Sequence, residues 1–104
     1  MEIGTPLSLK RFNIETKEID DYKSRVIDID DQFFYIDYPV NKRTNKTDYF
    51  YKNEKIIIQY TKNNVVFEFT GTMLERVNKN VPAFKFEIPK KEDLNQIQRR
   101  QFVR

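Results

Sequence analysis

Alternation of apolar and polar residues with a period of two is the feature that most constrains how this 104-residue chain can fold. Six segments show it, and their apolar sides carry the β-branched and aromatic side chains that pack well on a pleated sheet. The apolar positions are, in chain order, Leu7 and Leu9; Ile27 and Ile29; Phe34, Ile36 and Tyr38; Ile56, Ile58 and Tyr60; Val65, Phe67 and Phe69; and Phe84, Phe86 and Ile88. The pattern therefore predicts six β-strands.

The residues between these segments are typical of tight turns. Asp30-Asp31 and Asn63-Asn64 each separate two strand patterns, and Asn78-Lys79-Asn80 precedes the last one. Asn and Asp tolerate the positive φ angles that such turns require. In the fifth segment the apolar positions change parity after Gly71, which predicts a β-bulge there. Short strands with tight turns and no long helical pattern predict an all-β fold, a small antiparallel barrel or curled sheet.

Aromatic side chains carry much of the predicted core. The chain has nine Phe and six Tyr, whereas disordered chains are normally poor in aromatic residues. The face formed by Phe67 and Phe69 is predicted to meet the face formed by Phe84 and Phe86. We therefore expect the substitution Phe67→Ala to cost about 3–5 kcal/mol of folding free energy.

The residue types that are missing narrow the possible chemistry. The sequence has no Cys and no His, which removes disulfides, thiolate nucleophiles, the usual general base near neutral pH and the commonest metal ligand. Its two glycines, Gly4 and Gly71, are too far apart for a phosphate-binding loop. Paired carboxylates such as Asp20-Asp21 and Asp30-Asp31 point to opposite faces of a strand or form turns, so we interpret them as solvated. The sequence therefore predicts a protein that is not an enzyme.

Charge and hydropathy favour a cytoplasmic protein that does not insert into a membrane. Nineteen Lys and Arg against sixteen Asp and Glu give a net charge of +3, which is ordinary surface charge. The longest apolar run, Phe33 to Ile36, is far shorter than the roughly 20 residues of a membrane helix. The first residues have neither the basic nor the apolar region of a signal peptide.

The polar stretch Asn41 to Asn53, predicted to be an exposed loop, raises one alternative function. Aromatic and basic residues in and beside it suggest a platform on which single-stranded nucleic acid could stack. They are Tyr35, Tyr38, Lys42, Arg43, Lys46, Tyr49, Phe50 and Tyr51. The competing interpretation is that the aromatic residues belong to the core and the cations solvate a loop. We favour the second interpretation, so nucleic acid is the less expected partner.

The C-terminal string IQRRQFVR places three arginines within six residues, at Arg99, Arg100 and Arg104. It overlaps the stretch Lys90 to Ile97, which the spacing of its apolar residues predicts to contain one helical turn. A guanidinium group pairs with phosphate through two hydrogen bonds and also stacks on a nucleobase. The cluster is therefore suited to a compact, doubly charged anion.

RRQFVR resembles the RxxxR motif that opens PilZ domains, the bacterial receptors for cyclic di-GMP. The rest of the chain resembles the domain that precedes PilZ in YcgR-type flagellar brake proteins. The matching strings are IGTPLSLKR, FFYIDYPVN, PAFKFEIP and the short link into IQRRQFVR, and the resemblance covers essentially the whole chain. It implies that residues 1–89 form a YcgR-like N-terminal domain, a six-stranded antiparallel split barrel. Residues 90–104 would be the interdomain linker with the start of a PilZ domain.

The resemblance also implies a regulatory function. Arg100 and Arg104 match the motif arginines that grip the phosphates and guanines of cyclic di-GMP. Arg99 matches a position that influences whether one or two ligand molecules bind. By this resemblance the full-length protein binds cyclic di-GMP at the interdomain junction as a regulatory ligand, with no other cofactor. It would then reorient its two barrels and act on flagellar motor proteins to slow motility.

The sequence departs from the family pattern at one point. PilZ domains need a second motif, (D/N)xSxxG, but Ser8 has Pro6 two residues before it and Ser24 has Tyr22. The chain therefore looks like an N-terminal domain without its PilZ barrel, and we expect it to carry only half of the ligand site.

Overall fold

The structure is a computed structural model that describes residues 1–97. In it, six antiparallel strands pair in a closed ring. The elements are β1 (Pro6–Asn13), β2 (Glu18–Ile29), β3 (Phe33–Asp37), β4 (Val40–Asn41), β5 (Lys55–Lys62), β6 (Val65–Asn78), β7 (Pro82–Glu87), a 3₁₀ turn (Lys91–Asp93) and β8 (Asn95–Ile97). The ring runs β1-β5-β6-β7-β3-β2 and closes where β2 pairs with β1. The predicted six-stranded barrel is therefore confirmed, and each of the six predicted strands lies in the ring.

Two long strands pass between the halves of the barrel and make it a split barrel. β2 pairs with β1 along its first part and with β3 near its end, and β6 pairs first with β5 and then with β7. The pairing shifts register between Val26 and Asp28 in β2 and between Met73 and Glu75 in β6. Such shifts bend a strand, which lets one strand belong to both halves.

The predicted bulge at Gly71 lies slightly further along β6. Gly71 itself pairs regularly with Ile56, and the register shift begins only at Met73. Gly71 is required for a different reason, because a Cβ at this position would lie 2.9 Å from Cδ1 of Ile58 and 3.0 Å from Cδ2 of Phe86. Its missing side chain lets β6 cross closely over the core.

The three predicted turns are confirmed. Asn63 and Asn64 both have positive φ angles, 53° and 66°, and Asn80 has a φ of 73°. At the β2–β3 turn, Oδ1 of Asp30 accepts hydrogen bonds from the backbone N–H groups of Phe33 and Gln32. These bonds, with a smaller effect of the Tyr35 hydroxyl, lower the pKa of the Asp30 carboxyl below its usual value.

The inward faces of the two halves meet in an aromatic core. The ring of Phe34 stacks on Phe86 at 5.5 Å between centroids and meets the edge of Phe69 at 5.9 Å. Phe69 is 2% exposed, but Phe67 lies only partly buried at the margin, stacked on Tyr60 at 5.4 Å. The expectation that Phe67 is a full core residue is therefore wrong for that residue, whereas the meeting of the two aromatic faces is confirmed.

Two short strands and one core residue lie outside the predicted pattern. The stretch predicted to be an exposed loop begins with β4, which pairs with β2, and contains Phe50, which is 3% exposed and belongs to the core. The predicted helical turn is present as the 3₁₀ turn, but β8 follows it and pairs with β6, with Ile97 opposite Val66. The division of the chain after residue 89 stays a prediction.

Within residues 1–97, the structure contains no helix of the length and apolar character that crossing a membrane requires.

Replacing Phe69 by Ala is expected to lower the free energy of unfolding by about 3–5 kcal/mol, because it leaves a cavity in the core beside the ring of Phe34. Phe67→Ala is expected to cost only about 1–2 kcal/mol, since that ring is partly in solvent. Urea unfolding of the two variants checks this difference. Equal losses would contradict the assignment of Phe69 to the core and Phe67 to its margin.

Candidate functional site

The predicted ligand-binding arginines, Arg99, Arg100 and Arg104, lie outside the described residues. The last described element is β8, which is hydrogen-bonded to the start of β6. The arginine-bearing segment therefore follows, in sequence, directly from a strand that belongs to the barrel. The interdomain site predicted from the family resemblance stays a prediction.

The aromatic residues of the alternative platform separate in the structure. Tyr35 and Phe50 are buried, at 6% and 3% exposure, so neither ring is accessible for stacking on a base. Tyr38 stacks on Phe84 at 4.6 Å and meets the edge of Tyr49 at 5.2 Å. Tyr49 and Tyr51 are the members of the set that remain well exposed, at 60% and 73%.

Two of the three basic residues of that platform, Lys42 and Arg43, contact residues of β1 and β2. Nζ of Lys42 donates a hydrogen bond to Oγ of Ser8 at 3.1 Å, and the guanidinium of Arg43 lies 3.7 Å from a carboxylate oxygen of Asp20. Both contacts lie over the β1–β2 side of the barrel. The competing interpretation is therefore confirmed for Tyr35 and Phe50, which are buried, but not for Tyr49 and Tyr51, which are exposed.

Arg11, in the second half of β1, is the centre of a network of polar side chains. Its Nε and Nη2 atoms donate to the two carboxylate oxygens of Glu54 at 2.6 and 3.1 Å. Nη1 lies 3.4 Å from the hydroxyl of Tyr22, which donates to Oδ2 of Asp48 at 2.8 Å. The guanidinium carbon also lies 4.9 Å from the ring centroid of Phe50. The network joins β1 and β2 to residues 48–54, called here the tyrosine loop.

These contacts shift the pKa values of Arg11 and Tyr22. Burial alone would lower the pKa of Arg11, but its hydrogen bonds to Glu54 and Tyr22 outweigh burial and raise the pKa above its usual value. Burial raises the pKa of Tyr22, and the bond to Asp48 raises it further against the opposing effect of Arg11. Arg11 is therefore a permanent cation and Tyr22 a neutral hydroxyl at neutral pH.

One cue in the sequence indicates this network. Leu7, Leu9 and Arg11 share the inward face of β1, and Arg11 is a charged residue where the alternation calls for an apolar one. A cation at such a position needs a carboxylate partner. The period-two pattern cannot say which carboxylate that is, because Glu54 lies 43 residues away.

Two clefts flank the tyrosine loop and share Tyr51. The larger, of about 750 Å³, is lined by four aromatic residues together with Lys52, Glu75 and Arg76 and three uncharged residues. The second, of about 610 Å³, is called here the acidic cleft because four carboxylates and one arginine line it. Its charged residues are Arg11, Glu15, Asp20, Asp48 and Glu54. Within residues 1–97, no three acidic residues converge closely enough to hold a metal ion.

The architecture places the chain in the class of small split β-barrels of PilZ-like type, closed by two bent strands and extended by a short strand after β7. The model of the family PilZNR, "Flagellar protein YcgR", matches residues 2–89. The chain belongs to this family, which confirms the resemblance noted in the sequence.

Two comparisons, with a Bacillus subtilis sequence and with a solved Bacillus subtilis structure, extend this result. The chain is 29% identical over 105 residues to the protein named "Uncharacterized protein YpfA" of strain 168, covering 100% of the chain and 48% of that protein. The solved "Structure of Bacillus subtilis Inhibitor of motility (MotI/DgrA)" superposes with a TM-score of 0.87 at 26% identity, covering 99% of this chain and 49% of the other. The chain therefore spans about half the length of the relatives it matches.

Replacing Glu54 by Gln is expected to cost about 1–3 kcal/mol, because Arg11 would keep a partly buried charge without its carboxylate. Lys10→Gln is the matched control. It breaks the Lys10–Asp21 ion pair, whose side chains are 35% and 46% exposed, and is expected to cost at most about 1 kcal/mol.

Urea unfolding measures both effects, and amide hydrogen exchange locates them. In Glu54→Gln the N–H of Asn53, which donates to the carbonyl of Met73, is expected to exchange faster. Equal destabilisation by the two variants would contradict the role of the network in holding the tyrosine loop.

Proposed function

We propose that the chain is a non-enzymatic regulatory domain of a flagellar-motility regulator that responds to cyclic di-GMP. The observation that carries the proposal is the similarity to an inhibitor of motility over 99% of the chain, with a TM-score of 0.87. Membership of the family described as flagellar protein YcgR supports the same function. Because the chain spans about half of its relatives, the proposal concerns the part that this domain has in a longer protein.

The proposed ligand contacts come from the arginine segment. Arg100 and Arg104 have the four-residue spacing of the RxxxR motif, and Arg99 precedes it. In the proposed complex their guanidinium groups pair with the phosphates of cyclic di-GMP and stack on its guanines. Each charge-assisted hydrogen bond would contribute roughly 1.5–3 kcal/mol where the site excludes water.

The proposed switch is the ordering of this segment between two barrels. β8 is paired with β6 as far as Ile97, the last described residue before the arginine segment in sequence. A bound dianion would offset two of the three arginine charges and draw a second, PilZ barrel toward this one. The change in orientation would then present a surface to a protein partner, for which the flagellar motor is the proposed candidate.

Cyclic di-GMP is expected to bind the 104-residue chain weakly or not measurably. The (D/N)xSxxG contacts are missing from it, and each arginine would be immobilised at a cost of about 0.5–1.5 kcal/mol. In a protein in which a PilZ barrel with that motif follows this domain, submicromolar binding is expected. There, Arg100→Ala or Arg104→Ala should abolish binding and leave the unfolding free energy unchanged. Isothermal titration calorimetry on both proteins tests this.

Arg25→Ala is the matched control, because Arg25 is exposed and its side chain makes no hydrogen bond or ion pair within residues 1–97. It should leave binding unchanged. Submicromolar binding by the 104-residue chain, or unaltered binding by the two motif variants in the longer protein, would refute the shared site. The motility part is tested by swimming-halo diameters of a flagellated host that expresses the longer protein. Smaller halos that depend on Arg100 and Arg104 are expected, whereas unchanged halos would refute it.

A further inference from the structure

Exposed apolar side chains are concentrated at one end of the barrel. Seven large hydrophobic residues are well exposed within residues 1–97. Five of them lie on the tyrosine loop or on residues 12–19 of the β1–β2 hairpin, called here the hairpin tip. They are Phe12, Ile14, Ile19, Tyr49 and Tyr51, and their exposure ranges from 51% to 75%. Clustered exposed apolar groups with polar neighbours are typical of protein interaction sites.

The hairpin tip is held in shape by its own hydrogen bonds. The side chain of Asn13 accepts hydrogen bonds from the N–H groups of Glu15 and Thr16, and its backbone carbonyl accepts one from Lys17. Ile14 lies inside this turn and is 75% exposed. A partner that contacts Ile14 therefore meets a preformed turn and has little backbone to order.

The charge beside this apolar tip is negative. The acidic cleft is lined by Phe12, Ile14 and Tyr51 together with four carboxylates. Arg11 is paired with Glu54 and Arg43 lies 3.7 Å from Asp20, which leaves Glu15 and Asp48 as the carboxylates without a cationic partner among residues 1–97. Asp48 has only the neutral hydroxyl of Tyr22 as a side-chain hydrogen-bond partner in the described part of the chain. A nucleic acid would be repelled here, whereas a cationic group would be attracted.

We propose that the hairpin tip and the acidic cleft together dock a lysine- or arginine-bearing amphipathic segment of a protein partner. The apolar side of the segment lies on Phe12 and Ile14, and its cation enters the cleft toward Asp48 over the exposed ring of Tyr51. This inference rests on the proposed function only in that the domain acts through a protein partner. It does not involve cyclic di-GMP.

The test uses two synthetic helical peptides of equal length with leucine at the same positions. One carries lysine at all polar positions and the other carries glutamate. The lysine peptide is expected to bind the 104-residue chain with an affinity that falls as salt rises, and to shift the amide resonances of residues 12–20 and 48–54. The net charge of the chain is +3, so overall charge favours the glutamate peptide and does not explain this result.

Variants locate the contact. Ile14→Ser and Glu15→Lys change exposed side chains and should each weaken the lysine peptide by roughly fivefold to tenfold. The matched controls are Ile3→Ser, at a residue that is 61% exposed near the start of β1, and Glu87→Lys, at an exposed residue of β7. Both controls should change the affinity by less than about twofold. Circular dichroism checks that all four variants stay folded.

Equal binding of both peptides, equal weakening by the controls, or resonance shifts confined to other residues would overturn the proposal. Shifts of the resonances of residues 12–20 and 48–54 on addition of a single-stranded oligonucleotide alone would also overturn it. Calorimetry with cyclic di-GMP separates it from the proposed function. A longer protein that binds cyclic di-GMP but no basic peptide would refute the docking surface alone, and the reverse result would refute only the ligand response.

Discussion

The close crossing of β6 over the core at Gly71 is the constraint on which the rest of the barrel depends. A side chain there would collide with Ile58 from the neighbouring strand and Phe86 from the opposite half. Just beyond this crossing β6 shifts register and pairs with β7, and β2 makes the corresponding change near Val26. With both strands bent, the six strands close without an unpaired edge in the ring, and the aromatic faces meet.

The surface features follow from that closure. Arg11 lies on the inward face of β1 near the hairpin, and it is hydrogen-bonded to Glu54 of the tyrosine loop at that end of the strand. In this network Arg11 packs on the ring of Phe50, which is buried in the core, whereas Tyr49 and Tyr51 are exposed to solvent. The proposed docking surface therefore depends on Arg11, which holds the tyrosine loop beside the hydrogen-bonded turn of the β1–β2 hairpin.

The sequence predicts those parts of the structure that depend on local pattern. The six strands follow from alternation, and the turns follow from residues such as Asn63 and Asn64 that accept positive φ. Alternation carries no information about partners far apart in the chain, so it cannot predict the Arg11–Glu54 pair or the insertion of Phe50 into the core. β8 was missed for the same reason, because three residues are too few to show a period and its pairing with β6 is a tertiary contact. The arginine motif was recognised by resemblance and lies outside the described residues.

The order of strands around the ring has a consequence for how the chain folds. β1, β2 and β3 succeed one another through short turns, and so do β5, β6 and β7, so the chain contains two meanders of local hairpins. Within residues 1–97 the β1–β5 and β3–β7 ladders are the ones that join the two meanders, and the first of them pairs Ser8 with Gln59 across half the chain. Hairpins close in microseconds, whereas such distant pairing is slow. The two meanders are therefore expected to form first and to dock late. The Arg11–Glu54 ion pair joins one meander to the loop before the other, so it is expected to form only when they dock.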